Sequence, residues 1–597
     1  MYRAPVAEIC HTLKQVTGLG EAMASGQAGE LSDDLLMAIM EEAGKFASDE
    51  IAPLSRQGDE QGTPLNNGVV SMPDGWSDLY RRWAEGGWNA LTGPEEFGGQ
   101  GLPMSLQTAA FEMWNSGSLA FGIGPTLTIG AIEALNTHAT QELQNIYLEK
   151  LVSGEWTGTM NLTEPQAGSD LNALKSRAEP VGDGSYRVFG QKIFITYGEH
   201  DMTTNIVHLV LARLPDAPIG QKGISLFLVP KFLVNQDGST GDRNDVFCSG
   251  IEHKLGIHAS PTCTMIYGDG KFGDEPGALG WLIGEENRGL ACMFTMMNNA
   301  RLLVGIQGVA VAEAATQQAM AYAADRRQGR AEGYEGDGMA PIMHHPDVQR
   351  NLLTMKALTA AARCISYNCA HAIDQQHAGG EQSSDWSARA ALLTPIAKAF
   401  STDIGVEVSS IGVQVHGGMG FIEETGAAQL MRDARIAPIY EGTNGIQAID
   451  LATRKLPLDD GAVIAKYIAE LKDVADQIQA SNDPQINVSG DGLAMALEDL
   501  EAATDYLLDQ LRRGQKQVVL AGATPYLRLI GLTAGCTYLA KSALASSDID
   551  RNDRAALTRF MTLNLLKETA GLRAGIEQGA DSLLQAGSQL ATQLAAR

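Results

Sequence analysis

The chain has 597 residues, of which 44% are hydrophobic and 19% are charged. This composition supports a large buried core and excludes a disordered or low-complexity chain. At about 100–200 residues per domain, the length predicts several domains rather than one. The 44 basic and 71 acidic residues give a formal net charge of -27, which repels nucleic-acid phosphates and therefore argues against nucleic-acid binding.

The cysteines and the apolar segments indicate the cellular compartment and argue against some kinds of site. Seven cysteines are spread along the chain without a C-x-x-C pair, which argues against a disulfide framework and against a metal site of the structural zinc type. The N-terminus lacks the apolar segment of a secretory signal, so we expect a cytoplasmic protein. Pro525, Arg528 and Lys541 interrupt the apolar stretch at 521–544, which favours a buried helix over a membrane span.

Helical patterns dominate the beginning of the chain. Apolar residues over 33–60 recur at helical spacing, and Pro53 is expected to end or kink that helix. Helices are also predicted at 76–88 and at 105–151, and we expect Gly124 and Pro125 to break the second of these.

The pattern changes to strands in the middle of the chain. Continuous apolar runs of strand length occur at 206–211 and 224–229, and they are bounded by Gly, Pro and Asp. Helical periodicity returns at 279 and continues in a further helical unit after 457. The predicted fold class is therefore α+β, with a helical N-terminal domain (1–156), an antiparallel β middle domain (157–275), a helical bundle (276–456) and a C-terminal helical extension (457–597).

Two segments are candidates for a ligand-binding or catalytic site. The first, Leu162 to Asp170, lies where helix gives way to strand; its small and hydroxyl residues suit close approach to a ligand, although an ordinary turn is the simpler interpretation. The second, Met431 to Gly445, places Glu441 after an apolar stretch. Apolar surroundings raise the pKa of a carboxyl group, which makes Glu441 a candidate base. A helix-start carboxylate that accepts from backbone N–H groups is the alternative.

Together the two segments resemble the acyl-CoA dehydrogenase family. T-E-P-x-A-G-S-D at 163–170, followed by G-Q-K-x-x-I-T at 190–196, is similar to the first signature of that family. R-D-A-R-I at 432–436 with Y-E-G-T at 440–443 is similar to the second. Further matches are P-E-E-F-G-G at 94–99 and Q-V-H-G-G-M-G at 414–420.

The resemblance implies an FAD-dependent enzyme that removes hydrogens from Cα and Cβ of an acyl-CoA thioester and forms the trans-2-enoyl-CoA. It implies Glu441 as the catalytic base and an electron-transfer flavoprotein as the electron acceptor. The residues that it implies for FAD are Leu162, Thr163, Ser169, Phe194, Thr196, Arg326, Gln414, Gly417, Gly418 and Thr443, of which Arg326, Gln414, Gly417 and Gly418 would reach the FAD of a partner subunit. The residues that it implies for the substrate are Ser169, Arg301, Tyr440 and Gly442.

Three features depart from the usual family pattern. Phe194 replaces a tryptophan and loses its N–H, while Arg327-Gln328-Gly329 replaces the usual K-x-F-G after Arg326. Residues 457–597 exceed the ordinary family length, as in a subgroup of long members, and we expect this extension to leave a homodimer. The opening residues 1–6 resemble members that act on 3-(methylthio)propanoyl-CoA. Medium- or long-chain acyl-CoA dehydrogenase, acyl-CoA oxidase and a non-catalytic binding protein are the alternatives.

Overall fold

The computed structural model describes residues 2–546 and 548–596, and its contacts divide the chain into two compact units. The first unit comprises Lys45–Gln107 and Met113–Ala300; the second comprises Tyr2–Gly44, Thr108–Glu112 and Arg301–Arg597. The division into four domains stays a prediction.

The α-helices are α1 Val6–His11, α2 Leu19–Ala24, α3 Asp33–Phe46, α4 Ala52–Gln61, α5 Trp76–Glu85, α6 Met104–Gly117, α7 Leu119–His138, α8 Gln141–Val152, α9 Gly289–Asp325, α10 Pro346–Ala378, α11 Ser383–His416, α12 Ala427–Ala434, α13 Asn444–Asp450, α14 Ala462–Gln479, α15 Pro484–Asn487, α16 Gly490–Arg512, α17 Lys516–Leu544, α18 Asp548–Phe560, α19 Glu568–Gln578 and α20 Ala580–Ala595. The strands are β1 Leu65–Asn66, β2 Val69–Val70, β3 Trp156–Asn161, β4 Arg177–Pro180, β5 Ser185–Thr196, β6 Asn205–Ala212, β7 Ser225–Pro230, β8 Phe232–Val234, β9 Thr240–Arg243, β10 Val246–Ile251, β11 Thr262–Tyr267 and β12 Ala278–Ile283.

The first unit is built on an eight-stranded sheet with the order β10-β11-β5-β12-β7-β6-β3, in which β4 also pairs with β5. The two apolar runs predicted as strands form β6 and β7, and every residue of both strands is buried. The sheet is antiparallel, as predicted, except that β3 runs parallel to β6. A parallel pair needs a long crossover connection, and here β4 and β5 lie between its two strands in the sequence.

The predicted helix break at Gly124 and Pro125 is wrong. Pro125 lies inside α7, whereas the chain breaks earlier, at Ser118, between α6 and α7. The Ser118 side chain accepts a hydrogen bond from the backbone N–H of Phe121 and so caps α7. Burial of nearly the whole helix explains why the proline is tolerated, because tertiary packing overrides the local propensity.

The second unit is helical. The long helices α10 and α11 pack side by side, and α17 packs against α10. The predicted buried helix at 521–544 lies within α17. A buried polar network fixes the interior: Arg363 Nη2 lies 2.6 Å from Glu112 Oε1 and 2.7 Å from Glu313 Oε2, and the Tyr367 hydroxyl donates to Glu112 Oε2.

By length and composition, α7, α9 and α17 are long and apolar enough to cross a membrane. Most of the apolar window of each helix is buried inside the protein, with fractions of 89%, 67% and 67% respectively. An apolar helix of this kind is also what the interior of a large domain requires.

Candidate active site

Glu441 lies in a left-handed turn of the second unit, between α12 and α13. Its φ is +55°, and that of Gly442 is +83°. The left-handed conformation costs a residue with a Cβ about 1–2 kcal/mol, so surrounding contacts must hold the turn. Thr443 then caps α13, because its side chain accepts a hydrogen bond from the backbone N–H of Ile446.

Burial and two nearby cations set the charge state of Glu441. Burial raises the pKa of its carboxyl group, whereas Arg301 and Lys398 lower it, and the net result is a pKa of about 6. Burial therefore outweighs the two cations. The residue keeps some exposed surface although protein atoms surround its carboxyl group. A carboxyl group with this pKa is ionised at neutral pH and is still basic enough to accept a proton.

Lys398 holds the turn that carries Glu441. This lysine belongs to α11 and is fully buried, and its Nζ donates to the Gly442 carbonyl and to Asn444 Oδ1, both at 2.9 Å. Burial lowers the pKa of Lys398 to about 7, although Glu441 and Asp403 act in the opposite direction. The sequence analysis missed this residue; its signal is a single lysine in the apolar stretch from 395 to 400.

Asn444 and Gln447 complete the support of the turn. Asn444 Nδ2 donates to Asp403 Oδ1 at 2.7 Å and to the Ala399 carbonyl at 3.0 Å. Gln447 Nε2 donates to the carbonyl of Glu441 at 3.2 Å. These bonds satisfy the backbone of the strained turn and fix it against α11, so Glu441 has a defined position.

The predicted substrate residues of the second unit lie around the base. Arg301, in α9, is close enough to lower the pKa of Glu441, and burial lowers the pKa of Arg301 itself. The Tyr440 hydroxyl donates to Gln307 Oε1 of the same helix. The structure thus brings Arg301, Tyr440 and Gly442 together with Glu441; their contact with a substrate stays a prediction.

In the first unit, the two halves of the first signature are neighbours. The backbone N–H of Ile193 donates to the Thr163 carbonyl at 2.9 Å, and Lys192 Nζ donates to the Leu162 carbonyl at 3.1 Å. Thr196, at the end of β5, pairs with Thr262 of β11. The segments around Leu162 and Lys192, which are 30 residues apart in the sequence, therefore lie side by side at the sheet.

A β-bulge presents Phe194 on this surface. The register of β11 and β5 shifts so that Ile193 and Phe194 face the single residue Thr264, and Phe194 takes a φ of +61°. Bulges next to active sites re-aim side chains in this way. The Phe194 side chain is 58% exposed, whereas Leu162, Thr163 and Thr196 are half-buried. An exposed ring beside hydroxyl groups fits the flat, polar-edged ring system of FAD.

Glu164 of the same signature is structural. Its Oε1 accepts from Lys192 Nζ at 2.8 Å and from the Ser176 backbone N–H at 3.0 Å, while Oε2 accepts from the Lys175 backbone N–H at 2.7 Å. Although burial alone would raise the pKa of Glu164, Lys192 and these hydrogen bonds hold it well below its usual value. These bonds tie Glu164 to Lys192 and to the backbone at 175–176. Ser169, the predicted contact of the same signature, is exposed.

The residues that the resemblance assigns to the FAD of a partner subunit lie elsewhere in the second unit. Arg326 is exposed just after α9, and Gln414, Gly417 and Gly418 are exposed at the end of α11. Tyr322 stacks on His416 with ring centroids 4.4 Å apart, which brings these two helix ends together. Their role toward a partner subunit stays a prediction.

Four family models match the chain. The acyl-CoA dehydrogenase N-terminal domain matches residues 34–155, the middle domain 159–269 and the C-terminal domain 287–456. The model called acetyl-CoA dehydrogenase C-terminal like matches residues 465–586. These matches span most of the chain, including the extension after 457.

Individual proteins agree with the family models. The chain is 45% identical over 546 residues to the 3-methylmercaptopropionyl-CoA dehydrogenase of Ruegeria pomeroyi, covering 91% of each protein. It resembles the solved structure of Caenorhabditis elegans ACDH-11 in complex with C11-CoA, with a TM-score of 0.76, 20% identity and coverage of 96% and 95%. It also resembles an acyl-CoA dehydrogenase from Bacillus anthracis complexed with FAD, with a TM-score of 0.71, 21% identity and coverage of 94% and 92%.

The two structural likenesses establish the fold, and the identity with the Ruegeria enzyme over nearly the whole length establishes the relationship. The order of the domain matches also agrees with the helix, sheet and helix order of the structure. The chain belongs to the acyl-CoA dehydrogenase family of oxidoreductases, as its signature motifs predicted.

Proposed function

We propose that the chain catalyses the FAD-dependent α,β-dehydrogenation of an acyl-CoA thioester to the trans-2-enoyl-CoA. The observation that carries this proposal is Glu441, held in a left-handed turn by Lys398 and Gln447, with a pKa of about 6. A base with this pKa suits removal of the weakly acidic proton next to a thioester at neutral pH.

The residues around the base each have a role in this reaction. Glu441 takes the proton from Cα, and the bonds to its turn keep the carboxylate from moving away from that carbon. Lys398 and Arg301 keep Glu441 ionised before the reaction. Protein atoms surround the Glu441 carboxyl group, which limits the access of water.

Leu162, Thr163, Phe194 and Thr196 of the first unit would hold the FAD, and the role of Thr443 toward FAD stays a prediction of the resemblance. When bound, FAD supplies the acceptor for the hydride from Cβ. The support for FAD is the exposed Phe194 ring beside half-buried threonines, together with the FAD that the Bacillus anthracis acyl-CoA dehydrogenase binds in its solved structure. Arg326, Gln414, Gly417 and Gly418 would reach the FAD of a second subunit, and the protein would be a homodimer.

We propose 3-(methylthio)propanoyl-CoA, also called 3-methylmercaptopropionyl-CoA, as the substrate. The support is the 45% identity over 91% of both chains with the Ruegeria enzyme that carries this name. We further propose that electrons pass to an electron-transfer flavoprotein and that the protein is cytoplasmic without a membrane span. All seven cysteines are free thiols and buried, which suits a reducing compartment.

Anaerobic titration of the purified holoprotein with acyl-CoA thioesters tests the proposal. We expect 3-(methylthio)propanoyl-CoA to bleach the flavin absorbance and to yield the 2-enoyl product, with slower bleaching by octanoyl- and palmitoyl-CoA. Peroxide release in air, measured with and without an artificial electron acceptor, separates a dehydrogenase from an oxidase. Purification without flavin, or a flavin that no acyl-CoA bleaches, would contradict the proposal. Light scattering on the intact chain tests the homodimer.

A further inference from the structure

A cavity with a volume of about 290 Å³ opens between α2, α10, α11, α14 and α17 of the second unit. Its lining includes His371, Trp386, Arg389, Glu470 and Lys541, and it contains none of the residues of the candidate active site. The volume is at the lower limit of small-molecule pockets, which hold about 300–1,000 Å³. The cavity therefore has room for one small ligand.

The C-terminal extension supplies part of the lining. Glu470 and Leu471 of α14 and Lys541 of α17 follow residue 456, where the match to the acyl-CoA dehydrogenase C-terminal domain ends. The other walls come from α2, α10 and α11. A chain with only the three family domains would lack Glu470 and Lys541, so this cavity is a feature of the extended protein.

His371 gives the cavity a polar wall. The residue is only 5% exposed, and its Nδ1 has no hydrogen-bond partner within 2–546 and 548–596. Burial lowers the pKa of His371 to about 4, so the ring is uncharged at neutral pH. It meets Trp386 edge-on, with ring centroids 5.7 Å apart. Because buried polar atoms are nearly always paired, an unpaired nitrogen on this wall points to a polar occupant.

Two of the charges in the lining neutralise each other. The Arg389 guanidinium donates to both carboxylate oxygens of Glu470, at 2.8 and 2.7 Å. The same guanidinium lies over the Tyr467 ring, 4.7 Å from its centroid. Such a two-pronged pair satisfies both partners. Glu21 and Lys541 are the lining charges that remain for a ligand.

Glu21 and Lys541 have opposite charges, but they do not form an ion pair. Lys541 is half-buried, and its Nζ donates to the Val16 carbonyl at 2.8 Å, which leaves two of its three N–H donors. In the described part of the chain, no carboxylate lies within 4.0 Å of Lys541, and no cation lies that close to Glu21. Burial lowers the pKa of Lys541, whereas Glu21 raises it, so the two charges interact without touching.

We propose that this cavity binds a zwitterionic α-amino acid with an apolar side chain. The carboxylate accepts from Lys541, and the amino group donates to Glu21. An ion with a single charge would pair with one of these residues and be repelled by the other, whereas a zwitterion pairs with both. The ligand side chain lies against Trp386 and the aliphatic part of the lining, which is formed by Ala22, Leu393, Leu471 and Val474.

Calorimetric titration of the full-length holoprotein with L-leucine and L-phenylalanine tests this inference. Each amino acid is compared with two analogues: the acid that lacks the amino group and the amine that lacks the carboxylate. The variants are Lys541→Met and Glu21→Gln. Lys472→Met is the matched control, because Lys472 lies on α14, outside the cavity lining, and pairs with Glu501.

We expect at least one of the two amino acids to bind the wild type with a Kd of about 1 mM or lower. Loss of the ligand carboxylate, or Lys541→Met, should weaken binding about tenfold or more. Loss of the amino group, or Glu21→Gln, should weaken it about two- to fivefold, since Glu21 is exposed. Lys472→Met should leave the affinity unchanged.

No binding of either amino acid at about 10 mM would overturn the inference. An affinity that Lys541→Met does not change, or that either analogue matches, would overturn it as well. If Lys541→Met does not fold, the comparison of each amino acid with its analogues on the wild type decides. Bleaching of the flavin by acyl-CoA is measured separately, so a negative result here leaves the proposed function standing.

Discussion

The Lys398 ammonium group donates to the carbonyl of Gly442, the residue that follows Glu441, at a distance of 2.9 Å. One buried cation therefore both holds the strained turn and lowers the pKa of the carboxyl group that the turn carries. The position and the charge state of Glu441 therefore depend on the same side chain. Activity measured against pH distinguishes these two roles of Lys398.

Glu441→Gln should nearly abolish turnover. Glutamine keeps the size of the side chain but cannot take a proton, and loss of a general base typically lowers the rate roughly 100- to 10,000-fold. Flavin bleaching under anaerobic conditions measures this change, with flavin content and circular dichroism as controls for folding. Normal turnover by a flavin-loaded Glu441→Gln protein would show that another group removes the proton.

The kcat/KM of the wild type should rise with pH through about 6. Below this pH the Glu441 carboxyl group is protonated and cannot accept the substrate proton. A pH profile from 5 to about 8 on a substrate that does not titrate in this range measures the acid limb. A rate independent of pH over this range would contradict the assignment of the base.

Lys398→Met should move that acid limb to higher pH, by about one pH unit, because removing a nearby cation disfavours the ionised carboxylate. Arg301 remains as the second cation near Glu441, so some stabilisation of the carboxylate persists. Lys356→Met is the control, since Lys356 is exposed on α10. A lower rate with an unchanged pH profile would mean that Lys398 acts only by holding the turn.

Glu164→Gln should destabilise the protein by about 3–5 kcal/mol, because it leaves the buried Lys192 ammonium without its carboxylate. Glu155→Gln, which breaks an exposed pair with Lys150, should cost about 0–1 kcal/mol. Since the pKa of Glu164 is lower in the folded protein than its ordinary value of 4.5, the stabilisation is present above that pH and is lost as the pH falls toward 2. Denaturant unfolding at neutral and acidic pH measures both effects, and equal losses for the two variants would contradict this account.

Phe194→Ala should weaken FAD retention about two- to tenfold, as the loss of one aromatic contact predicts. Phe194→Trp keeps a ring at the bulge and should retain FAD at least as well as the wild type. Ile219→Ala, at a fully exposed apolar residue of the same unit, is the control. Fluorescence of released FAD during dialysis measures retention. Unchanged retention in Phe194→Ala would exclude the ring from the flavin site.

Much of this protein could be predicted from local patterns in the sequence. Glu441 and the first signature were found because their residues lie within short segments, and β6 and β7 were found because each is a continuous apolar run. The break expected at Pro125 was wrong because burial of α7 outweighs the local preference of proline.

The sequence by itself determined the family and the order of helical and strand-rich regions, and it singled out Glu441 as the predicted base, since short motifs and periodicity carry that information. The helical pattern predicted from 279 was wrong at its start, because Ala278–Ile283 form β12 of the sheet. Only the tertiary structure decided what surrounds the base: Lys398 reaches Gly442 from 44 residues away, and Gln307 meets Tyr440 across 133 residues. The bulge that exposes Phe194 likewise depends on the register between β5 and β11. Such contacts join residues that are distant in the chain, and the pKa of Glu441 follows from the burial and the charges that these contacts create.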